Sequence, residues 1–239
     1  MKVKLLHPWN LSESEAVNVQ LSLAGKVIAK DEFSSIRTVC GVDVSYRRLA
    51  QYDAAHYNEA YIDTASADIV RAAAACVVLS YPGLEHRETG FKRSCVRFGY
   101  VPGLLAFREI PALIPALEGL ESSPDLFICD GHGIAHQRGF GLACHLGLLL
   151  DRPAIGCAKT RLLGNFEEPG ERRGSFEYLY HKVMVIGAVL RTQEKKKPVF
   201  VSTGHRITLQ SAIEVVLQCT GSDRLTEPVR RAHRRAGKE

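Results

Sequence analysis

Leu126-Phe127-Ile128-Cys129-Asp130-Gly131-His132-Gly133 divides the chain into two differently patterned halves. Four consecutive apolar residues closed by an acid and a Gly-His-Gly turn read as a short, fully buried strand. Before it, three strand-like runs follow one another over 38–46, 72–80 and 89–96, the last two joined by a turn around Pro82-Gly83. Successive strands joined by turns predict antiparallel pairing. After it, strand and helix alternate: a helix over 141–150, a strand over 154–158, strands over 181–190 and 199–202, and a helix over 209–219 with Ile213, Val216 and Leu217 on one face. A basic helix follows Pro228. Strands first, then alternation, predict an α/β class with a mixed sheet.

The flanks fill in the rest. Ser12 and Glu15 form a capping-box pattern, and Ala16, Val19, Leu23 and Val27 then recur at helical spacing. Apolar residues over 104–120 also recur at helical spacing. Pro111 is expected to open a second helical segment there, because proline suits the first turn and breaks a helix interior. Residues 47–68 are polar and mixed and read as an insertion or long loop; 165–174, charged and rich in Gly and Pro, read as a surface loop. No internal repeat is visible.

Within 239 residues, 46% are hydrophobic and 24% charged, which is ordinary for a soluble chain with a core. A net charge of +5 inclines mildly toward phosphate-bearing partners, a bias that many metabolic enzymes share. The seven cysteines form no C-x-x-C pair and sit mostly in apolar runs, as buried free thiols of a reducing compartment do. Lys2 and Lys4 are followed by no apolar signal core, and the apolar stretches stop well short of a membrane span. The expectation is a cytoplasmic monomer, nuclear in a eukaryote, with no membrane partner.

Three carboxylates stand out. Asp43 interrupts Val39-Cys40-Gly41-Val42-Asp43-Val44, Asp130 ends the strand quoted above, and Glu109 sits on the apolar helical stretch after Phe107 and Arg108. An acid in an apolar strand is costly unless it is paired or bound to a metal. Two readings stand: a satisfied ion pair, or for Asp130 a turn before Gly131, against a Mg²⁺ site built from hard oxygen donors. His132, His136, Gln137, Arg138 and His145 cluster near Asp130 with several glycines between them. Zinc is disfavoured because neither cysteine ligands nor H-E-x-x-H accompany them. Lys159 ends a buried strand, either aimed at a phosphate or lying on the surface. Tyr100, in the turn-rich 98–103, is either a packing residue or a wedge that enters a base stack.

Taken in order, these pieces resemble the endonuclease V family. The resemblance is carried by Gly41-Val42-Asp43-Val44-Ser45, by Tyr100-Val101-Pro102-Gly103-Leu104-Leu105-Ala106-Phe107-Arg108-Glu109, and by Asp130-Gly131-His132-Gly133-Ile134-Ala135-His136 with Arg138 and Gly141. Gly156-Cys157-Ala158-Lys159, Thr203-Gly204-His205-Arg206 and Pro228-Val229-Arg230-Arg231-Ala232-His233 complete it. It implies a ribonuclease-H-like α/β fold, a mixed central sheet flanked by helices, with residues 1–239 as one catalytic domain. It implies cleavage of deoxyinosine-containing DNA, or of inosine-containing RNA, at the second phosphodiester 3′ to the lesion, in repair of deaminated bases. The metal would be Mg²⁺, with Mn²⁺ as a substitute, on Asp43, Glu109 and Asp130. His233 would lie near it and Lys159 would contact the scissile region. Leu105, Gly131, Gly133 and His136 would line the hypoxanthine pocket. Gly99, Tyr100, Val101 and Pro102 would form the wedge, with Gly99 where the family commonly has proline. Two other classes compete: a non-catalytic nucleic-acid-binding module, which has no need of three acids, and another ribonuclease-H-like enzyme, such as one cutting RNA–DNA hybrids, which has no need of the wedge.

Overall fold

The computed structural model describes residues 1–48 and 70–238. Its core is an eight-stranded sheet in the order β3-β2-β1-β4-β5-β8-β7-β6. The antiparallel strands β1 (Thr38–Arg48), β2 (Val70–Ser80) and β3 (His86–Val96) form one side, as the turn-joined pattern predicts. The short central strands β4 (Leu126–Cys129) and β5 (Ala154–Ala158) run parallel to β1. Beyond them β8 (Val199–His205), β7 (Met184–Leu190) and β6 (Phe176–His181) pair antiparallel, so the sheet is mixed.

Helices cover both faces. α2 (Leu105–Glu118) and α3 (Leu142–Leu150) bury Ile110, Leu113, Leu117, Leu146 and Leu149 against Cys40, Val42 and Phe127. On the other face, α4 (Leu209–Gln218) and α5 (Glu227–Gly237) bury Ile213, Val216, Val229 and Ala232 against Val39, Ala75 and Ile128. This is strand alternation at work: Val42 and Val44 face α2, while Gly41 and Asp43 face α5. α1 (Glu13–Ala24) carries the expected reciprocal Ser12–Glu15 cap and packs beside Phe107 and Phe140.

Three expectations change. α2 is one helix, with Pro111 and Pro115 inside it rather than a new start at Pro111. Each internal proline costs about 3 kcal/mol, but seven buried side chains from Ala106 to Leu117 hold the helix to the sheet, and packing overrides local propensity. β1 runs on through Arg47 and Arg48, where the sequence predicts the start of a loop; the rest of that expectation, 49–68, lies outside the described residues. The single strand expected over 181–190 is divided between the two arms of a hairpin: His181 ends β6, and 184–190 form β7. Lys182, at φ 56°, turns the chain between β6 and β7.

Gly41 has a specific task. A Cβ there would lie 2.1 Å from the backbone carbon of Pro228, so α5 reaches β1 only because residue 41 has no side chain. Gly41→Ala is therefore expected to lower stability by about 1–3 kcal/mol, the usual cost of overpacking, with α5 pushed from the sheet. Urea unfolding of the variant measures this; an unchanged midpoint would show that α5 is not seated as described.

Candidate active site

β4 pairs with β1 only as far as Val42 opposite Cys129. Asp43 and Asp130 are the next residues on two neighbouring parallel strands, which are spaced about 4.8 Å apart. Their side chains are only 11% and 18% exposed. Glu109 joins them from α2. Burial pushes its carboxyl well above the usual carboxylate range, and the charges of Asp43 and Asp130 push it further. Asp43 is also raised, first by burial and then by Asp130, against the pull of His233 and Lys159. Three acids therefore repel one another in a poorly solvated place.

Two side chains lie against the acids. Lys159, just past β5, donates from Nζ to Asp130 Oδ2 at 2.5 Å. His233, on α5, lies with Nδ1 3.1 Å from Asp43 Oδ2. Among the described residues, no three His, Cys, Asp or Glu side chains are spaced to hold a metal ion as they stand. The chemistry of the set nevertheless fits a hard divalent cation. Three convergent carboxylates offer only oxygen, and their excess charge calls for a cation that one ammonium supplies in part.

A cavity of about 350 Å³ opens beside the acids. Asp130 and Lys159 form one edge; Tyr100, Val101, Pro102, Leu105, Gly131 and His136 line it as well. Gly99 and Gly133 stand outside the wall. Gly133 instead lies flat on β8, where an added Cβ would sit 1.9 Å from the Thr203 carbonyl oxygen. Gly156 and Gly141 press equally closely on the backbone at 131–133, so the loop after Asp130 is packed backbone to backbone.

The wedge candidate is pinned at both ends. Arg108 donates to the Phe98 carbonyl at 2.6 Å. The Gly103 carbonyl accepts from Gln20 Nε2 at 3.0 Å, His136 Nε2 at 2.9 Å and Arg138 Nη2 at 2.8 Å. Between these anchors Tyr100 stands 71% exposed. Burial drives the His136 pKa down to about 4, so its imidazole is neutral at physiological pH. Its Nε2 carries the proton toward Gly103, and its Nδ1 accepts from the Arg138 amide at 3.2 Å. His145, by contrast, is wholly buried among Trp9, Phe107 and Phe140, away from the cavity wall.

Sequence reading missed Gln20, Thr160, Arg161 and Leu162, which also line the cavity. Gln20 left one trace: it lies four residues after Ala16 and three before Leu23, on the buried stripe of α1. The other three follow Lys159 in a segment with no distinctive pattern.

Comparison with known proteins follows this geometry. The family model for endonuclease V matches residues 21–234. Endonuclease V of Dehalococcoides mccartyi is 42% identical over 233 residues, 98% of this chain and 96% of its own length. The crystal structure of endonuclease V from Streptomyces avermitilis superposes with a TM-score of 0.81 at 40% identity, covering 99% of this chain and 96% of that one. The Ciona intestinalis endonuclease V, solved with a 24mer DNA containing an inosine followed by a ribo-adenosine, has a TM-score of 0.74 at 28% identity, over 92% of this chain and 94% of its own. The ribonuclease-H-like fold expected from the sequence is the fold observed.

The acid cluster has a thermodynamic signature. A carboxyl whose folded pKa is raised contributes stability below its unfolded pKa and loses it as pH rises through the folded value. At neutral pH the metal-free protein therefore carries strain at Glu109. Glu109→Gln is expected to stabilise it by about 1 kcal/mol, the usual scale for relieving a strained active site. That advantage should shrink as pH falls and the wild-type carboxyl takes up a proton. Thermal unfolding in chelator at several pH values measures it; a destabilised variant at neutral pH would contradict the mutual repulsion.

Proposed function

The chain belongs to the endonuclease V family, and on that premise we propose that it is a Mg²⁺-dependent endonuclease acting at deoxyinosine in DNA, with residues 1–239 as one catalytic domain. Mn²⁺ would substitute for Mg²⁺. The observation that carries this reading is the shared edge of cavity and acid cluster: Asp130 and Lys159 belong to both. A base held in the cavity brings its own strand's phosphates to the carboxylates. The volume suits a small ligand, since such pockets run from about 300 to 1,000 Å³.

Hypoxanthine pairs weakly, so extruding it costs less than extruding a normal base. Tyr100, exposed on a loop fixed at both ends, takes the vacated place in the stack. The extruded base meets Leu105, Gly131 and the neutral His136. Asp43, Glu109 and Asp130 would hold the metal, which when bound supplies activation of water and stabilisation of charge on the phosphate. Lys159, beside Asp130 on the edge that cavity and acids share, would present its ammonium to the scissile phosphate. His233, with Nδ1 3.1 Å from Asp43 Oδ2, orients that carboxyl group. That pocket and acids are neighbours that do not coincide supports a cut offset from the base; the family resemblance puts it at the second phosphodiester 3′ to the inosine, leaving 3′-hydroxyl and 5′-phosphate ends. The role is repair of deaminated bases by a cytoplasmic monomer. The relative solved with DNA carrying an inosine followed by a ribo-adenosine supports this substrate, and the ribonucleotide in it favours inosine RNA as a second one. Among the described residues no helix is long and apolar enough to cross a membrane.

Matched single-inosine DNA and RNA oligonucleotides, end-labelled and incubated with Mg²⁺, test the proposal. One cut on the 3′ side of inosine is expected, and none in the inosine-free control. Release of free hypoxanthine, or a cut 5′ to the lesion, would refute it. Asp43→Ala should abolish cleavage while inosine binding persists; near-normal turnover would remove Asp43 from the metal set.

Tyr100→Ala should weaken duplex substrates by about 1–3 kcal/mol, the worth of a base–aromatic stack, and single strands less. Equal losses on both substrates in a binding titration would deny Tyr100 the wedge role.

A further inference from the structure

A second cavity, of about 330 Å³, lies on the α5 face of the sheet, beyond the end of that helix. Its wall is Ser45, Arg47, Arg71, Ala73, Arg93 and Ser94, with Ala236 of α5 at its edge. Strand register explains the grouping. Asp43, Ser45 and Arg47 alternate onto one face of β1. Ser45 stands opposite Ala73 and Arg47 opposite Arg71 on β2, while Ala73 stands opposite Arg93 on β3. Small side chains line the floor and arginines rise around it. Phe91, opposite Ala75 and so level with Asp43, carries Arg235 of α5 with its guanidinium carbon 3.5 Å from the ring centroid and Arg93 at 5.6 Å. Arg235 and Arg93 at the level of Asp43 thus join Arg47 and Arg71 on this side of the acids.

Its position relative to the first cavity matters. The base cavity lies on the β4–β5 side of the acids and the trough on the β3–β2–β1 side, with Asp43 and Asp130 between them. A strand whose base fills the first cavity and whose phosphate meets the acids can leave toward the trough, the basic cavity on the other side of Asp43. We propose that Arg47, Arg71 and Arg93 bind the sugar-phosphate backbone of the substrate strand on the 3′ side of the cut, holding the segment that ends in the new 5′-phosphate. The direction rests on the function proposed above; the basic track itself does not. Guanidinium groups suit it, since their fork of donors matches phosphate oxygens and stays charged throughout.

The test compares two single-stranded inosine oligonucleotides, one with ten nucleotides 3′ of the cut and one with a single nucleotide there, by fluorescence anisotropy without divalent metal. Arg93→Gln and Arg71→Gln should each weaken the long oligonucleotide several-fold and lower the slope of log affinity against log salt by about 0.7, the increment for one phosphate contact on a single strand. The short oligonucleotide should bind wild type and variants alike. Arg93→Lys should restore the salt slope. Arg93 is exposed on β3, so its variants test the proposal even if Arg71→Gln fails to fold. Equal losses on the long and short oligonucleotides, or no loss on the long one, would overturn the proposal. The same pair without inosine separates the two readings. A flank-dependent loss there supports the trough whether or not inosine is preferred, whereas failure to discriminate inosine counts against the proposed function alone.

Discussion

Two carboxylates on adjacent parallel strands, placed where one strand stops and the other continues, are the constraint around which the molecule is arranged. Asp43 and Asp130 are close, poorly hydrated and joined by Glu109, so each needs a polar partner. α5 supplies one answer, and it reaches β1 only over Gly41. β5 supplies the other by ending at Ala158, with Lys159 next in the chain. The central sheet is therefore less a scaffold with a site added to it than the means of holding like charges together.

The loop after Asp130 transmits that order to the base cavity. Gly133, Gly141 and Gly156 remove the side chains that would separate backbone from backbone, so 131–141 rests directly on β5 and β8. His136 and Arg138, carried by this loop, then grip the Gly103 carbonyl together with Gln20. The cavity wall and the 98–103 loop are thus tied together by hydrogen bonds and close contacts beside the acid cluster. The positive φ of 83° at Gly103 belongs to the same arrangement, since a side chain there would meet Arg138.

Much of this was legible beforehand. The antiparallel opening strands, the buried four-residue strand before Asp130 and the capped first helix follow from periodicity and end signals, because those elements bury one face or one stripe. The acids were visible because charge in an apolar run is rarely idle. What escaped depends on tertiary packing. The continuity of α2 through two prolines is decided by the sheet beneath it, not by local propensity. β6 buries little besides Leu179, so its pattern carries almost no burial signal. Gln20 reaches the cavity across 83 residues of sequence to Gly103, a distance no local pattern spans. The metal set itself remains a matter of chemistry: side-chain types and charges point to it, while the spacing seen without an ion does not.

The triple grip on Gly103 also bears on how a lesion is found. A probe loop tied at both ends cannot fold itself around different partners, so the distortion must occur in the nucleic acid. On the proposed function, recognition would then begin as a mechanical trial of the helix, in which steps that unstack cheaply yield and stiff ones do not. Chemical inspection by the cavity comes second and examines only what has already yielded. Such a molecule would pause at weak points of many kinds while reserving its cut for the one base that fits, and its sampling of the helix would be set by local stiffness rather than by contacts with base edges.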